Sequence, residues 1–122
     1  MNHLEKVNKT PTISIAATDD EKKGIYQFRY HIYVEEMSRQ LKSAHENDEL
    51  LYDEMDEWGI QLCAKVGSEL VGISRINIGP LEKFTPYIVD SLALDRFQKF
   101  YMGSKDQGFA LITKLMVAPH YR

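Results

Sequence analysis

The stretch Phe109-Ala-Leu-Ile-Thr-Lys-Leu-Met-Val-Ala-Pro-His-Tyr-Arg122 decides how the chain is read. Apolar residues run almost unbroken from Phe109 to Val117, and their number and β-branched content predict a buried strand that Ala118-Pro119 ends. Working back from it, Trp58-Gly-Ile-Gln-Leu-Cys-Ala-Lys-Val66 alternates with period two, Gly67-Ser68 reads as a two-residue turn, and Glu69-Leu-Val-Gly-Ile-Ser-Arg-Ile-Asn77 is strand-like again. That is the clearest hairpin in the chain. The connection from Gly79-Pro80 to Phe109 is too long to be featureless, and Asp90 or Ser91 can cap a helix on which Leu94, Phe97, Phe100 and Tyr101 share a face until Gly103 stops it.

Upstream, Thr12-Ile-Ser-Ile-Ala-Ala17 predicts a short strand, and Asp19 or Asp20 can cap a helix carrying Ile25, Phe28, Ile32 and Tyr33 or Val34 at helical spacing to about Met37. From Ser38 to Glu57 polar residues dominate, so a loop with room for one helical turn is expected, fastened by Leu41, Leu50, Leu51, Tyr52 and Met55. Residues 1–10 are a polar lead-in, and residues 11–122 form one domain. The order strand, helix, loop, hairpin, excursion, strand implies an α/β (α+β) fold: a mostly antiparallel sheet of about four strands with helices packed on it.

The chain has 122 residues, 43% of them hydrophobic, and a formal net charge of -3. Neither nucleic acid nor an anionic membrane is favoured, because a phosphate-tracking surface needs clustered Lys and Arg. Cys63 is the one cysteine, and the first residues lack the apolar core of a secretory signal, so a reducing, cytoplasmic setting is expected. No apolar run approaches the roughly 20 residues of a transmembrane helix.

Several polar residues interrupt the apolar pattern. Arg29 lies on the Ile25, Phe28, Ile32 stripe, so its guanidinium either pairs with an acid or orients a substrate carboxylate. Glu36 is seven residues further on the same face, with Glu35 beside it, and either can serve as that acid or as a general base. His45 to Glu57 contains seven carboxylates. Such a run is a solvated surface, a calcium site or an attractor of amines; the EF-hand spacing fails for want of a glycine at the turn, while Leu50, Leu51, Tyr52 and Met55 would fix Asp53 and Asp56 in place. Arg75 sits between Ile73 and Asn77 and calls for an acid partner or a cleft, with Asp53 and Asp56 as natural partners. His3, His31, His45 and His120 show no ligand spacing with Cys63, so neither a metal site nor a covalent triad is expected.

Four blocks in order, Tyr26 to Met37, Tyr52 to Asp56, Val71 to Arg75 and Lys114 to Val117, resemble one branch of the GNAT N-acyltransferases. That branch holds the N-acyl-homoserine-lactone synthases and the long-chain N-acyl amino acid synthases. The resemblance spans roughly Ile13 to Arg122 and implies a GNAT-like sheet whose front portion this chain carries. The family's pyrophosphate loop, Arg/Gln-x-x-Gly-x-Gly/Ala, would begin at Arg122, its glycines and a helix N-terminus binding the anion.

By the same resemblance Arg29, Asp53, Asp56 and Arg75 form a polar network at the acceptor site. Leu115, Met116 and Val117 would hold the pantetheine arm of an acyl-CoA or acyl-carrier-protein thioester and help to polarise its carbonyl. Glu36, Asp53, Asp56 or a water they hold would take the proton of the amine. The helix with Leu94, Phe97 and Phe100 is either core or the wall of an acyl pocket. Lactone synthases carry Glu-x-Ser-Arg where this chain has Leu111-Ile-Thr-Lys114, and a tryptophan soon after the first helix where this chain has Trp58 alone; an amino acid or other small amine is therefore the expected acceptor. Two alternatives stand beside this reading: a non-catalytic half-domain that binds a partner or dimerises through an unpaired strand edge, and an acetyl-CoA-dependent N-acetyltransferase.

Overall fold

Period-two alternation on either side of Gly67-Ser68 folds as expected into a hairpin, with Gly67 at φ 63° making the turn. The computed structural model of the chain describes residues 10–36, 44–45, 48–97 and 108–122. The hairpin comprises β4 (Ile60–Val66) and β5 (Glu69–Gly79). β1 (Thr12–Ile15) adds to the β4 side and β6 (Phe109–Val117) to the β5 side, giving one antiparallel sheet in the order β1-β4-β5-β6. Two-residue strands β2 (Ala44–His45) and β3 (Leu50–Leu51) make a separate small ladder. The fold is α+β.

The first helix, α1 (Asp19–Tyr30), is capped by Thr18, whose hydroxyl accepts from the Glu21 N–H while the Glu21 carboxylate accepts from the Thr18 N–H. The sequence offered Asp19 and Asp20 as caps; both lie inside the first turn, because Thr18 completes the reciprocal pair with Glu21 that neither aspartate can make. Helical structure continues past Tyr30 as a π-helical turn, His31–Glu36, so the expected helix does not reach Met37 as a regular α-helix.

The excursion before β6 also differs from expectation. Thr85 caps α2 (Pro86–Leu92), with Pro86 pre-set for the first turn, and Ala93 at φ 52° breaks the chain before α3 (Leu94–Phe97). The expected helix starting at Asp90 or Ser91 therefore begins five residues earlier. Phe100, Tyr101 and Gly103 lie outside the described residues, as do Met37 and Leu41 and all but the last residue of the expected lead-in.

One face of the sheet carries the core. Ala16, Ile25, Ile32, Cys63, Ile73 and Met116 form one cluster under α1, and Met55, Phe84 and Leu94 form a second with Trp58, Phe109 and Leu111. The other face is bare among the described residues: Ile13, Ile15, Ile78, Ile112 and Leu115 are 59–75% exposed. β6 was expected to be a buried strand; Met116 is buried, Phe109, Leu111, Thr113 and Lys114 are half-buried, and the residues on its other face are exposed. No helix among the described residues is long and apolar enough to cross a membrane.

Candidate functional site

A polar row crosses the packed face of the sheet. Gln61 on β4 stands opposite Arg75 on β5, which stands opposite Thr113 on β6. Charged side chains reach such a depth only if they are paired. α1 lowers Arg29 onto this row, and the 310 turn Glu54–Glu57 brings Asp53 and Asp56 against it. Arg29 Nη1 donates to Asp56 Oδ2 at 2.8 Å and Arg29 Nη2 to Gln61 Oε1 at 2.9 Å. Gln61 Nε2 donates to Asp56 Oδ1 at 2.8 Å, and Arg75 Nη1 reaches Asp53 Oδ1 at 2.8 Å and Asp56 Oδ1 at 3.1 Å. Arg75 Nε completes the row on Thr113 Oγ1 at 3.2 Å. Two arginines and two aspartates leave the group formally neutral. Gly59 lies close beside it: a Cβ there would sit 3.0 Å from Arg75 Cγ and 3.1 Å from the Met55 carbonyl, so the arginine stem would have to shift.

The two aspartates do different work. Asp56 is 4% exposed, and both its oxygens are occupied, Oδ2 also accepting the Asp53 N–H at 2.9 Å. Burial pushes its pKa up, but the Arg29 hydrogen bond and charge, the Arg75 charge and the Asp53 N–H outweigh this and hold it at about 2. Asp56 therefore locks the arginines and is a poor proton acceptor. Asp53 is more open, its side chain 33% exposed: it accepts from Arg75, from the Met55 N–H and, in a capping box, from the Asp56 N–H.

Asp53 and Arg75 lie at the back of a cleft of about 760 Å³ whose polar side also holds Glu54, Thr113 and Lys114, with Tyr33, Met55 and the Pro86-Tyr87-Ile88 segment of α2 as its apolar wall. The volume suits a small ligand with a chain attached. Lys114 was not among the expected site residues. Burial depresses its pKa most strongly; Asp53 opposes this, Arg75 and Arg29 add to it, and Asp56 opposes it weakly. Its signal in the sequence was a lone cation inside an apolar run.

The other expected residues fall at the strand edge. Among the described residues β6 has β5 on one side and no strand on the other. The Ala118 N–H donates to the Val71 carbonyl at 2.8 Å, so the trans peptide turns the Val117 carbonyl away from β5, where Arg122 Nε meets it at 2.9 Å. Leu115 and Met116 part across the sheet, Met116 into the core and Leu115 onto the bare face. Arg29 is buried behind Asp56 rather than in the cleft wall. The side chains of Glu35 and Glu36 lie outside the described residues. Among the described residues no three His, Cys, Asp or Glu side chains are grouped to hold a metal ion. Comparison with protein-family models, with curated proteins and with solved structures finds no match.

Proposed function

We propose that the chain is an N-acyltransferase that moves an acyl group from a thioester, acyl-CoA or acyl carrier protein, to the amine of an amino acid or other small acceptor. The observation that carries this reading is the cleft in which the part-exposed carboxylate of Asp53 stands beside the anchored Arg75, with Thr113 and Lys114 of β6 in its lining. The acceptor nitrogen attacks the thioester carbonyl, the new C–N bond forms as the C–S bond breaks, and the proton lost from nitrogen neutralises the departing thiolate. The Asp53 carboxylate, directly or through a water, is the group able to take that proton first. Arg75 and Asp56 keep Asp53 oriented, and backbone N–H groups on the open edge of β6 polarise the carbonyl. The apolar wall from Met55 to Ile88 accommodates an acyl chain.

The test is transfer from a long-chain acyl-CoA and from acetyl-CoA to a panel of amines, followed by mass spectrometry. Amide product with the long-chain donor supports the reading, product with acetyl-CoA alone favours an N-acetyltransferase, and no product with either donor removes it.

A second reading, a binding or dimerisation module, is favoured by the bare apolar face and the unpaired edge of β6. Sedimentation equilibrium separates it from the first: a concentration-independent monomer speaks against it.

A further inference from the structure

One irregularity in β6 decides where a single side chain points. Arg75 pairs with Thr113 and Ile73 with Met116, so Lys114 and Leu115 together stand opposite Ser74. This is a β-bulge, with Lys114 in the left-handed region at φ 57°. That conformation costs a side-chain-bearing residue about 1–2 kcal/mol, and a glycine would avoid the cost. The chain keeps a lysine there. In a regular strand Thr113 and Lys114 would project to opposite faces; here both line the same cleft, and Leu115 takes the bare side, 75% exposed.

Strain that persists where it aims a reactive group into a cleft points to use of that group. Among the described residues that line the cleft Lys114 is the sole primary amine, and the carboxylate of Asp53 belongs to the same lining. The Lys114 ammonium rests 5.5 Å from the centre of the Tyr33 ring. Burial and the charges of Arg75 and Arg29 outweigh the opposing pull of Asp53 and Asp56, so the lysine gives up its proton more readily than an ordinary one. Desolvation and neighbouring cations are what turn a lysine into a nucleophile. The acyl-transfer step asks for an amine beside Asp53, and the chain holds one there before any acceptor arrives.

We propose that Lys114 Nζ is itself an acyl acceptor: with Asp53 as base, the chain moves the acyl group of a long-chain acyl-CoA onto this lysine. The inference rests on the thioester site of the acyl-transfer reading and adds a covalent modification site to it. The ammonium gives one proton to Asp53, the nitrogen lone pair forms the C–N bond, and the C–S bond breaks with its electron pair on sulfur. A second proton passes from nitrogen to the thiolate, leaving a thiol and a neutral amide, and Asp53 returns its proton to water. The acyl chain then lies along Met55, Pro86, Tyr87 and Ile88 and fills the cleft.

The experiment incubates the 122-residue chain with decanoyl-CoA at neutral pH and follows intact mass and peptide maps with time, the exposed Lys23 and Lys83 serving as internal references. Lys114 should be acylated on the order of a hundredfold faster than either reference, the contribution of a positioned base. Asp53→Asn should remove most of that advantage without changing the references, and Lys114→Arg should leave no fast site, with circular dichroism confirming that both variants are folded. Labelling of Lys114 no faster than the references, or Asp53→Asn labelled as fast as the parent chain, overturns the proposal. Parallel reactions with amino acids added read the acyltransferase separately. Amide product with Lys114 unmodified keeps the enzyme and removes the self-acylation; modified Lys114 without amide product keeps the self-acylation and removes the small acceptor.

Discussion

Two adjacent rows of residues cross the sheet, one on each face, and they could hardly differ more. Gln61, Arg75 and Thr113 form a row on the packed face, the first two buried and all three joined into one hydrogen-bonded network. One residue away, Ile60, Ile76 and Ile112 form the matching row on the opposite face, with Ile60 38% and Ile112 65% exposed. Polar residues are inside and apolar residues outside, the reverse of what burial alone favours. The inversion indicates what each face is for. The packed face spends its depth on a neutral ionic cluster that fixes Asp53 at the back of a cleft, while the bare face offers apolar area that only another surface can cover. The bulge at Lys114 and Leu115 is where the faces exchange residues, giving the cleft a second cation and the bare side another leucine.

The largest expected effect lies in the ionic cluster. Arg29→Ala strands Asp56 without its closest cationic partner and should destabilise the fold by roughly 3–5 kcal/mol, read from the urea midpoint. A loss below 1 kcal/mol would mean that Gln61 and Arg75 hold the acid unaided. Next come two truncations on neighbouring strands. Ile73→Ala, in the core at 3% exposure, should cost about 2–4 kcal/mol, whereas Ile112→Ala should stay within about 1 kcal/mol. Equal costs would show that the bare face is covered in solution.

Acid should act through Asp56. Its folded pKa of about 2 lies below its ordinary value of 3.8, so its contribution is fully present above pH 4 and is lost as pH falls toward 2. The loss should amount to roughly 2 kcal/mol across that window. Asp56→Asn should flatten that part of the profile, and an equally steep acid loss in this variant would assign the effect to another carboxylate.

The smallest effect concerns the bulge. Lys114→Gly removes the left-handed strain and should raise stability by about 1 kcal/mol, so that a fall in stability would show the lysine stem to matter more for packing than its backbone costs.

Much of this arrangement was legible in the chain. The hairpin and β6 follow from alternation and from Gly67-Ser68, and the pairing of Arg75 with Asp53 and Asp56 follows from a charge on an apolar stripe beside an acidic run, whereas Arg29, for which its own helix offered Glu35 or Glu36, pairs with Asp56. Other features leave fainter marks. Thr18 competes as a cap with Asp19 and Asp20, and only Glu21 three residues on distinguishes it. Thr85-Pro86 signals the start of α2, but Ala93 in a left-handed conformation carries no compositional warning. A bulge is likewise silent, since it changes which face a residue serves without changing the residue. For the same reason an apolar run such as Phe109 to Val117 reads as a buried strand when one of its sides is open.

The most direct test of the account is a calorimetric titration of this chain with a long-chain acyl-CoA, with acetyl-CoA as comparison and with two variants, Tyr87→Asp on the cleft wall and Leu115→Asp on the bare face. Micromolar binding of the long-chain thioester, weakened at least tenfold by Tyr87→Asp and unchanged by Leu115→Asp, is the predicted result. Binding abolished by Leu115→Asp and indifferent to Tyr87→Asp, or no binding at all, would contradict the assignment of the cleft as the acyl site.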